Sequence, residues 1–125
     1  CLADLSEYSI CSSNYRHNVL AMLDALHLAG YFDADRIFTA ESAQRVKPAP
    51  DIYLQCLRAL PHDSARVCAV EDSALGVRAA KAAGLHTFGF VTGTPPHLQQ
   101  CHIEQLKQVR VDQIIFDLAE LLAFA

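Results

Sequence analysis

Short apolar runs alternate along the chain with longer segments in which apolar residues recur every three or four positions. The runs predict strands at residues 8–11, 36–39, 66–70, 86–91 and 113–116. The segments between them predict helices, two of which are expected to end at glycines, Gly30 and Gly84. Such an alternation is typical of a parallel sheet covered by helices. The pattern therefore predicts an α/β fold.

Each of the first two predicted helices carries an apolar face. In the first helix this face consists of Val19, Leu20, Met22, Leu23 and Leu26. In the second helix it consists of Ile52, Tyr53, Cys56, Leu57 and Leu60. Pro48 and Pro50 suit the start of the second helix, because a first turn needs no N–H donor there. A later helix is predicted over 99–108, and Asp117 is expected to cap a closing helix.

The composition describes one globular domain. The chain has 125 residues, of which 52% are hydrophobic and 19% charged. A net charge of −4 without a basic run gives no reason to expect nucleic-acid binding. No apolar stretch approaches the ~20 residues of a membrane span, and the N-terminus lacks a basic segment followed by an apolar one. We expect a cytoplasmic protein without a nucleic-acid or membrane partner, and the oligomeric state stays open.

The cysteines are odd in number and scattered. Cys1, Cys11, Cys56, Cys68 and Cys101 show no Cys-x-x-Cys spacing. This pattern favours free thiols in a reducing compartment. Because the chain opens on cysteine rather than methionine, it is expected to be a fragment or a processed piece of a longer protein.

Three groups of polar residues are expected at one edge of the predicted sheet. Two of them follow strands, and the third precedes the second helix. In doubly wound sheets, ligands bind outside the carboxyl ends of the strands. The hydroxyls of Ser12 and Ser13, with the amides that open the next helix, suit an anionic oxygen; an ordinary helix cap is the alternative. The Lys47 ammonium suits a phosphoryl oxygen, and a solvated loop lysine is the alternative.

An acidic pair is the strongest single candidate for chemistry. Glu71 and Asp72 follow an apolar strand that we expect to be buried. Adjacent carboxylates repel each other and are costly to desolvate unless a cation neutralises them. Mg²⁺ prefers such hard oxygen ligands together with water and phosphate. Capping of the helix that starts near Ser73 is the alternative explanation.

Other polar residues give weaker signals. His97, Cys101 and His102 match no zinc spacing and are expected to be surface residues of a helix. Arg16 and His17, early in the first helix, are expected to be solvated, and a position facing the same pocket is the alternative. The sequence contains neither a glycine-rich phosphate loop nor a Gly-x-Ser-x-Gly motif.

Two sequence blocks, in this order, carry a family resemblance. The first is Lys47-Pro48-Ala49-Pro50-Asp51-Ile52-Tyr53, and the second runs from Val70-Glu71-Asp72-Ser73 to Gly84. With the serine after the first strand, they resemble the haloacid dehalogenase-like (HAD) hydrolases, above all the β-phosphoglucomutase and sugar-phosphate phosphatase branch. The resemblance implies a Rossmann-like parallel sheet with helices on both faces, and makes residues 1–125 a partial core domain.

The resemblance also implies a role for each candidate residue. Ser12 would bind the phosphoryl group, with help from the amide of Ser13 and from Asn14. Lys47 would be the catalytic lysine that stabilises the phosphoryl group and the nucleophile. Asp72 and Glu71 would hold Mg²⁺, directly or through water. The implied activity is that of a Mg²⁺-dependent phosphatase or phosphomutase that acts on a small phosphorylated metabolite through an aspartyl-phosphate.

One part of the family pattern is missing. The nucleophile belongs to an Asp-x-Asp strand that precedes the serine strand, and a cap domain follows that strand in this branch. Asp4 does not replace it, because Leu2-Ala3-Asp4-Leu5 lacks the second aspartate and lies too close to the next strand for a crossover. We therefore expect the chain alone to be inactive. The substrate, which the cap would select, stays open.

The missing strand also has a structural consequence. In the family it lies between the serine strand and the strand that ends in the acidic pair. Without it, these two strands are expected either to pair directly or to leave a gap, with marginal stability, rearrangement or completion by another segment. A non-catalytic phosphate- or Mg²⁺-binding pseudo-enzyme is the alternative function. A response-regulator receiver is disfavoured, because its acidic pair comes first and its lysine last.

Overall fold

A computed structural model describes residues 7–124 of the chain. The predictions made for Cys1 and Asp4 lie outside the described residues. The strands are β1 (Ile10–Cys11), β2 (Ile37–Phe38), β3 (Cys68–Glu71), β4 (His86–Phe90) and β5 (Gln113–Ile115). The helices are α1 (Arg16–Ala25), α2 (Asp51–Ala59), α3 (Ala74–Ala82) and α4 (Pro96–Gln108), and a 3₁₀ helix (Leu118–Phe124) closes the chain.

The strands form two parallel sheets. β1 pairs with β2, and β3, β4 and β5 pair in that order, with Val70 opposite Phe88. The predicted α/β fold with parallel strands is confirmed. In the described part of the chain β1 does not pair with β3. Of the two outcomes expected for these strands, the structure shows the gap.

Helices cover both faces of the three-stranded sheet. On one face, Val77 of α3 and Leu106 of α4 pack with Val91 at the end of β4. On the other face, Phe88 and Ile115 pack with Leu121 of the closing 3₁₀ helix. All six side chains are at least 94% buried. Their burial supplies the main hydrophobic stabilisation of this sheet.

Helix α2 joins the two sheets. Its Ile52 and Tyr53 are buried against Ala69 of β3 and against α3, and Cys11 and Phe38 of the other sheet pack against the same cluster. Beside α2, a cleft of about 290 Å³ runs between β1 and β3. The cleft therefore separates the two sheets, and α2 connects its two sides.

One expectation for β3 was wrong. Residues 66–70 were expected to form a buried strand; Ala69 is buried, but Cys68 and Val70 are exposed and line the cleft. Alternate residues of a strand point to opposite faces, and a strand at a sheet edge has one uncovered side. Cys68 and Val70 therefore lie on the same face of β3, the face that lines the cleft.

The first helix ends earlier than its apolar pattern predicts. Gly30 lies in a separate 3₁₀ turn (Ala29–Tyr31), and α1 ends at Ala25. His27 takes the left-handed conformation after the helix, with φ 56°, and the amide of Leu28 donates to the carbonyl of Leu23 at 2.8 Å. These are the features of a C-terminal helix cap, which glycine usually provides.

Other helix ends agree better with the sequence. Gly84 has φ 81° directly after α3, as predicted. Ser73 caps the start of α3 by accepting a hydrogen bond from the amide of Gly76 at 3.0 Å. Asp117 accepts a hydrogen bond from the amide of Ala119 at 2.8 Å, although the closing helix is a 3₁₀ helix. Helix α4 starts at Pro96, three residues before the predicted start.

The cysteines of residues 7–124 are free thiols: Cys11, Cys56, Cys68 and Cys101. Within the same residues, no helix combines the length and the apolar character needed to cross a membrane.

Candidate functional site

The carboxyl ends of β1 and β3 meet at an open pocket of about 480 Å³. The pocket is lined by polar residues from three places in the sequence: Ser12, Ser13, Lys47, Glu71, Asp72 and Ser73. Ser12 follows β1, Lys47 precedes α2, and Glu71 ends β3. The parallel direction of the strands brings these residues together, since their carboxyl ends lie at the same edge.

Lys47 and Glu71 form a buried ion pair at the floor of this pocket. The ammonium of Lys47 donates to Oε1 of Glu71, and the two side chains are only 9% and 8% exposed. The same ammonium donates to the backbone carbonyl of Cys11 at 3.0 Å. The lysine is therefore not a solvated loop residue. Its charge is fixed between the end of β1 and the end of β3.

Tyr53 completes this cluster, although the sequence assigned it only to the apolar face of α2. Its hydroxyl donates to Oε1 of Glu71, and its ring centroid lies 5.0 Å from Nζ of Lys47. Burial, and then the charge of Glu71, raise the pKa of Tyr53. The phenol therefore stays protonated and available as a donor. The sequence offered no signal for this role, because a helix-face tyrosine is usually a core residue.

Gly76 lets α3 approach the Glu71 carboxylate. A Cβ atom at position 76 would overlap both oxygens of that carboxylate. Gly76 itself is buried in the first turn of α3. Glycine is thus required here by close packing rather than by backbone conformation, since Gly76 has no positive φ.

The two acidic residues differ in their surroundings. Glu71 is buried within the lysine cluster, whereas Asp72 is exposed on the wall of the pocket. Ser73 caps α3, as the alternative explanation proposed, but neither carboxylate does so. Both carboxylates nevertheless directly precede the N-terminus of α3, where the helix dipole favours negative charge, so that alternative stays open beside the metal site.

The residues after β1 form a tight turn. The hydroxyl of Ser12 accepts a hydrogen bond from the amide of Asn14 at 3.1 Å, and Oδ1 of Asn14 accepts from the amide of Tyr15 and from the side chain of Asn18. The N-cap of α1 is Tyr15, so neither serine is the ordinary cap. Ser12 and Ser13 line the pocket, and Asn14 is not among its lining residues in the described chain.

The donor atoms suit a hard divalent cation. Two carboxylates, with the hydroxyl of Ser73 beside them, line the pocket, and Mg²⁺ in proteins often has one or two carboxylate ligands and completes its shell with water and phosphate. No cluster of three or more histidine, cysteine or acidic side chains able to hold a metal occurs among residues 7–124. The two carboxylates and the hydroxyl of Ser73 would thus supply only part of the ligand shell of Mg²⁺.

One Asp-x-Asp spacing does occur in the chain but lies at the wrong place for the pocket. Asp33 and Asp35 are exposed in a 3₁₀ turn that precedes β2. They therefore lie at the amino end of a strand, whereas the pocket lies at the carboxyl ends. They are not candidates for the nucleophile.

Two surface assignments were wrong. Arg16 was expected to be solvated, but its guanidinium donates to the carbonyls of Ile37 and Ala34 at 2.8 and 2.7 Å. His102 was expected to be an ordinary surface residue, but its ring is partly buried and contacts Asp72 and Thr94. His17, His97 and Cys101 are exposed, as expected.

The sequence and the fold are similar to those of known proteins. Residues 3–90 match the family model described as haloacid dehalogenase-like hydrolase. A solved haloacid dehalogenase-like protein of unknown function from Agrobacterium tumefaciens superposes with a TM-score of 0.85 and 32% identity, over 98% of this chain and 55% of that one. A putative β-phosphoglucomutase from Thermotoga maritima superposes with a TM-score of 0.74 and 26% identity, over 91% of this chain and 50% of that one.

A curated relative is the fructose-1-phosphate phosphatase YqaB of Escherichia coli. It is 37% identical over 65 residues, which cover 52% of this chain and 34% of the phosphatase. The chain thus spans about a third of this relative and about half of the two solved structures. Since the family model covers most of the chain and the superposed structures share its fold, the chain belongs to the haloacid dehalogenase-like hydrolases.

Proposed function

We propose that this chain is the phosphate- and metal-binding half of a phosphatase or phosphomutase that acts on a small phosphorylated metabolite. One observation carries the proposal: the Lys47 ammonium and the Asp72 carboxylate line a single pocket together with Ser12. A cation and a hydroxyl suit phosphoryl oxygens, while the carboxylate suits a metal beside them. The resemblance to a sugar-phosphate phosphatase supports this class of substrate.

Each pocket residue has a distinct task in this proposal. The Ser12 hydroxyl and the Ser13 amide hold phosphoryl oxygens, and Asn14 shapes the turn that presents them. Lys47 is the catalytic lysine. Its ammonium, which Cys11 and Glu71 already orient, stabilises the negative charge on the phosphoryl group during transfer.

Asp72 and Glu71 are the proposed Mg²⁺ ligands. Asp72 is exposed to the pocket and suits direct coordination, whereas the buried Glu71 suits a contact through water because Lys47 already occupies Oε1. When bound, Mg²⁺ would neutralise charge on the phosphoryl oxygens. The protein residues fix the position of that charge relative to Lys47.

The nucleophile in this proposal comes from a further strand. An apolar segment that ends in Asp-x-Asp would lie in the cleft between β1 and β3, which both have an unpaired edge within residues 7–124. The cleft has an apolar lining that includes Ala69, Leu85 and Leu121. An extended segment there would gain main-chain hydrogen bonds on both sides. Its carboxyl end would reach the pocket beside Lys47.

It follows that the 125-residue chain alone binds phosphate but does not hydrolyse phosphate esters. Phosphate binding is measured by ³¹P NMR titration of inorganic phosphate in the presence of Mg²⁺, and turnover by release of p-nitrophenol from p-nitrophenyl phosphate. Lys47→Met is expected to weaken phosphate binding at least about tenfold, the loss of a charge-assisted hydrogen bond of roughly 1.4 kcal/mol. The exposed Lys107→Met is the matched control and is expected to bind as the wild type does.

Three outcomes separate the possible functions. Phosphate affinity that Lys47→Met leaves unchanged would disprove the pocket assignment. Turnover by the chain alone that Lys47→Ala abolishes would show that the chain carries its own nucleophile. If turnover stays absent when an Asp-x-Asp strand peptide is bound in the cleft, while Lys47-dependent phosphate binding persists, the alternative of a non-catalytic binding domain is favoured.

A further inference from the structure

The imidazole of His102 in helix α4 contacts the loop of residues 71–73 that carries the acidic pair. Nε2 of His102 lies 2.5 Å from the backbone carbonyl oxygen of Asp72, and Nδ1 lies 2.5 Å from Oγ1 of Thr94. Asp72 follows β3, and Thr94 follows β4. His102 therefore links the loops at the carboxyl ends of two neighbouring strands, directly beside the pocket.

The partners of His102 define how its ring is protonated. A backbone carbonyl only accepts hydrogen bonds, so Nε2 must carry a proton and donate it to Asp72. Nδ1 of a neutral ring then accepts from the hydroxyl of Thr94. The second contact fixes the plane of the ring and so directs the Nε2 donor at the carbonyl of Asp72.

The residues on either side of Asp72 are held independently of His102. Glu71 is fixed by Lys47 and Tyr53, and Ser73 is fixed by its cap on the amide of Gly76. The Asp72 carboxylate itself is exposed. Within residues 7–124, the side-chain hydrogen bond to Asp72 is the one from His102, so this contact determines the peptide plane from which the carboxylate extends into the pocket.

We infer that His102 is a positioning residue for Asp72, which sets the affinity of the pocket for a divalent cation without touching the cation. The inference rests on the proposed function, in which Asp72 is a metal ligand. Residues that orient a metal ligand typically change metal affinity about 10- to 100-fold when they are replaced. Loss of the Nε2 donor should therefore weaken cation binding while the fold is kept.

The test measures Mn²⁺ binding to the 125-residue chain. The electron paramagnetic resonance signal of free Mn²⁺ reports how much of the metal remains unbound. His102→Leu removes the donor and is expected to weaken Mn²⁺ binding about tenfold. His102→Gln restores an N–H donor of similar reach and is expected to recover most of the affinity. His97→Leu, at an exposed position on the same helix, is the matched control and should bind as the wild type does.

Amide hydrogen exchange of residues 72–74 provides a readout that does not depend on the metal. His102→Leu should speed exchange in this loop, and His102→Gln should not. If the wild type fails to bind Mn²⁺, the proposed metal site is disproved, while the exchange pattern still decides whether His102 orders the loop. Unchanged exchange in His102→Leu, or equal losses in the Leu and Gln variants, would overturn the inference.

Discussion

The ammonium of Lys47 and the carboxylate of Glu71 form an ion pair at the floor of the pocket where the carboxyl ends of β1 and β3 meet. Lys47 lies before α2 and also donates to the carbonyl of Cys11 in β1, whereas Glu71 ends β3. The pair therefore connects two strands that share no backbone hydrogen bonds in the described chain. It links the candidate site and the stability of the fold in one contact.

Breaking this pair from either side should destabilise the protein strongly. Lys47→Met or Glu71→Gln alone is expected to lower the free energy of unfolding by about 3 kcal/mol, because each leaves a buried charge without its partner. The double variant should lose clearly less than the sum of the two single losses. Equilibrium urea unfolding of the four proteins gives the coupling energy.

The exposed pair of Arg45 and Asp51 provides the control for this cycle. Arg45 is 70% exposed, so Arg45→Met should leave the free energy of unfolding nearly unchanged. Additive losses in the Lys47 and Glu71 variants would contradict the ion pair.

Gly76→Ala should destabilise the fold strongly, although it adds only one methyl group. The added Cβ would overlap the Glu71 carboxylate, which cannot move aside without leaving Lys47 and Tyr53. We expect a loss of about 3 kcal/mol in the free energy of unfolding, the upper part of the range for overpacking. Gly30→Ala, where the added atom would meet nothing within 4 Å, is the control. Equal stability of the two variants would mean that α3 does not pack on Glu71.

Tyr53→Phe isolates the contribution of one hydroxyl. The ring remains in the core, but Glu71 loses a buried donor, which should cost about 1–2 kcal/mol. Tyr31→Phe, at a residue that is 64% exposed, should cost almost nothing. Both free energies of unfolding are measured with urea. An unchanged stability of Tyr53→Phe would show that the hydroxyl of Tyr53 does not bind Glu71.

The meeting of Lys47 with Glu71 and Asp72 could be predicted because it depends on topology. Parallel strands bring their carboxyl ends to one edge, so residues at those ends become neighbours whatever the details of packing. The contacts of Tyr53 and His102 could not be predicted in this way. A hydrogen bond from either side chain requires a partner from another element within about 3 Å. The helical pattern in the sequence shows only which face of the helix a residue lies on.

The ends and exposures of the elements show a similar division. Glycine at position 84 identified the end of α3, because its left-handed conformation suits that residue. The end of α1 was missed because His27 takes that conformation instead. The exposure of Cys68 and Val70 was missed because a continuous apolar run does not show that one face of the strand is uncovered.

The carboxylate of Asp112 should make the stability of the three-stranded sheet depend on pH. It accepts hydrogen bonds from Nζ of Lys81 and from the amide of Thr87, each at 2.7 Å. Burial raises the pKa of Asp112, but these hydrogen bonds and the charge of Lys81 outweigh it and hold the pKa below the ordinary 3.8. A carboxyl group with a lowered folded-state pKa stabilises the fold above its unfolded value, and this contribution is lost as the pH falls through the folded value.

Asp112→Asn should therefore lower the free energy of unfolding at neutral pH by about 1 kcal/mol, as expected for a solvent-accessible ion pair. The difference from the wild type should shrink as the pH falls below 3.8 and the wild-type carboxylate becomes protonated. Urea unfolding at a series of pH values measures this difference in the free energy of unfolding. Asp24→Asn, at an exposed residue of α1, is the control. A difference that stays constant over the acidic range would show that the side chain acts through its shape and not through its charge.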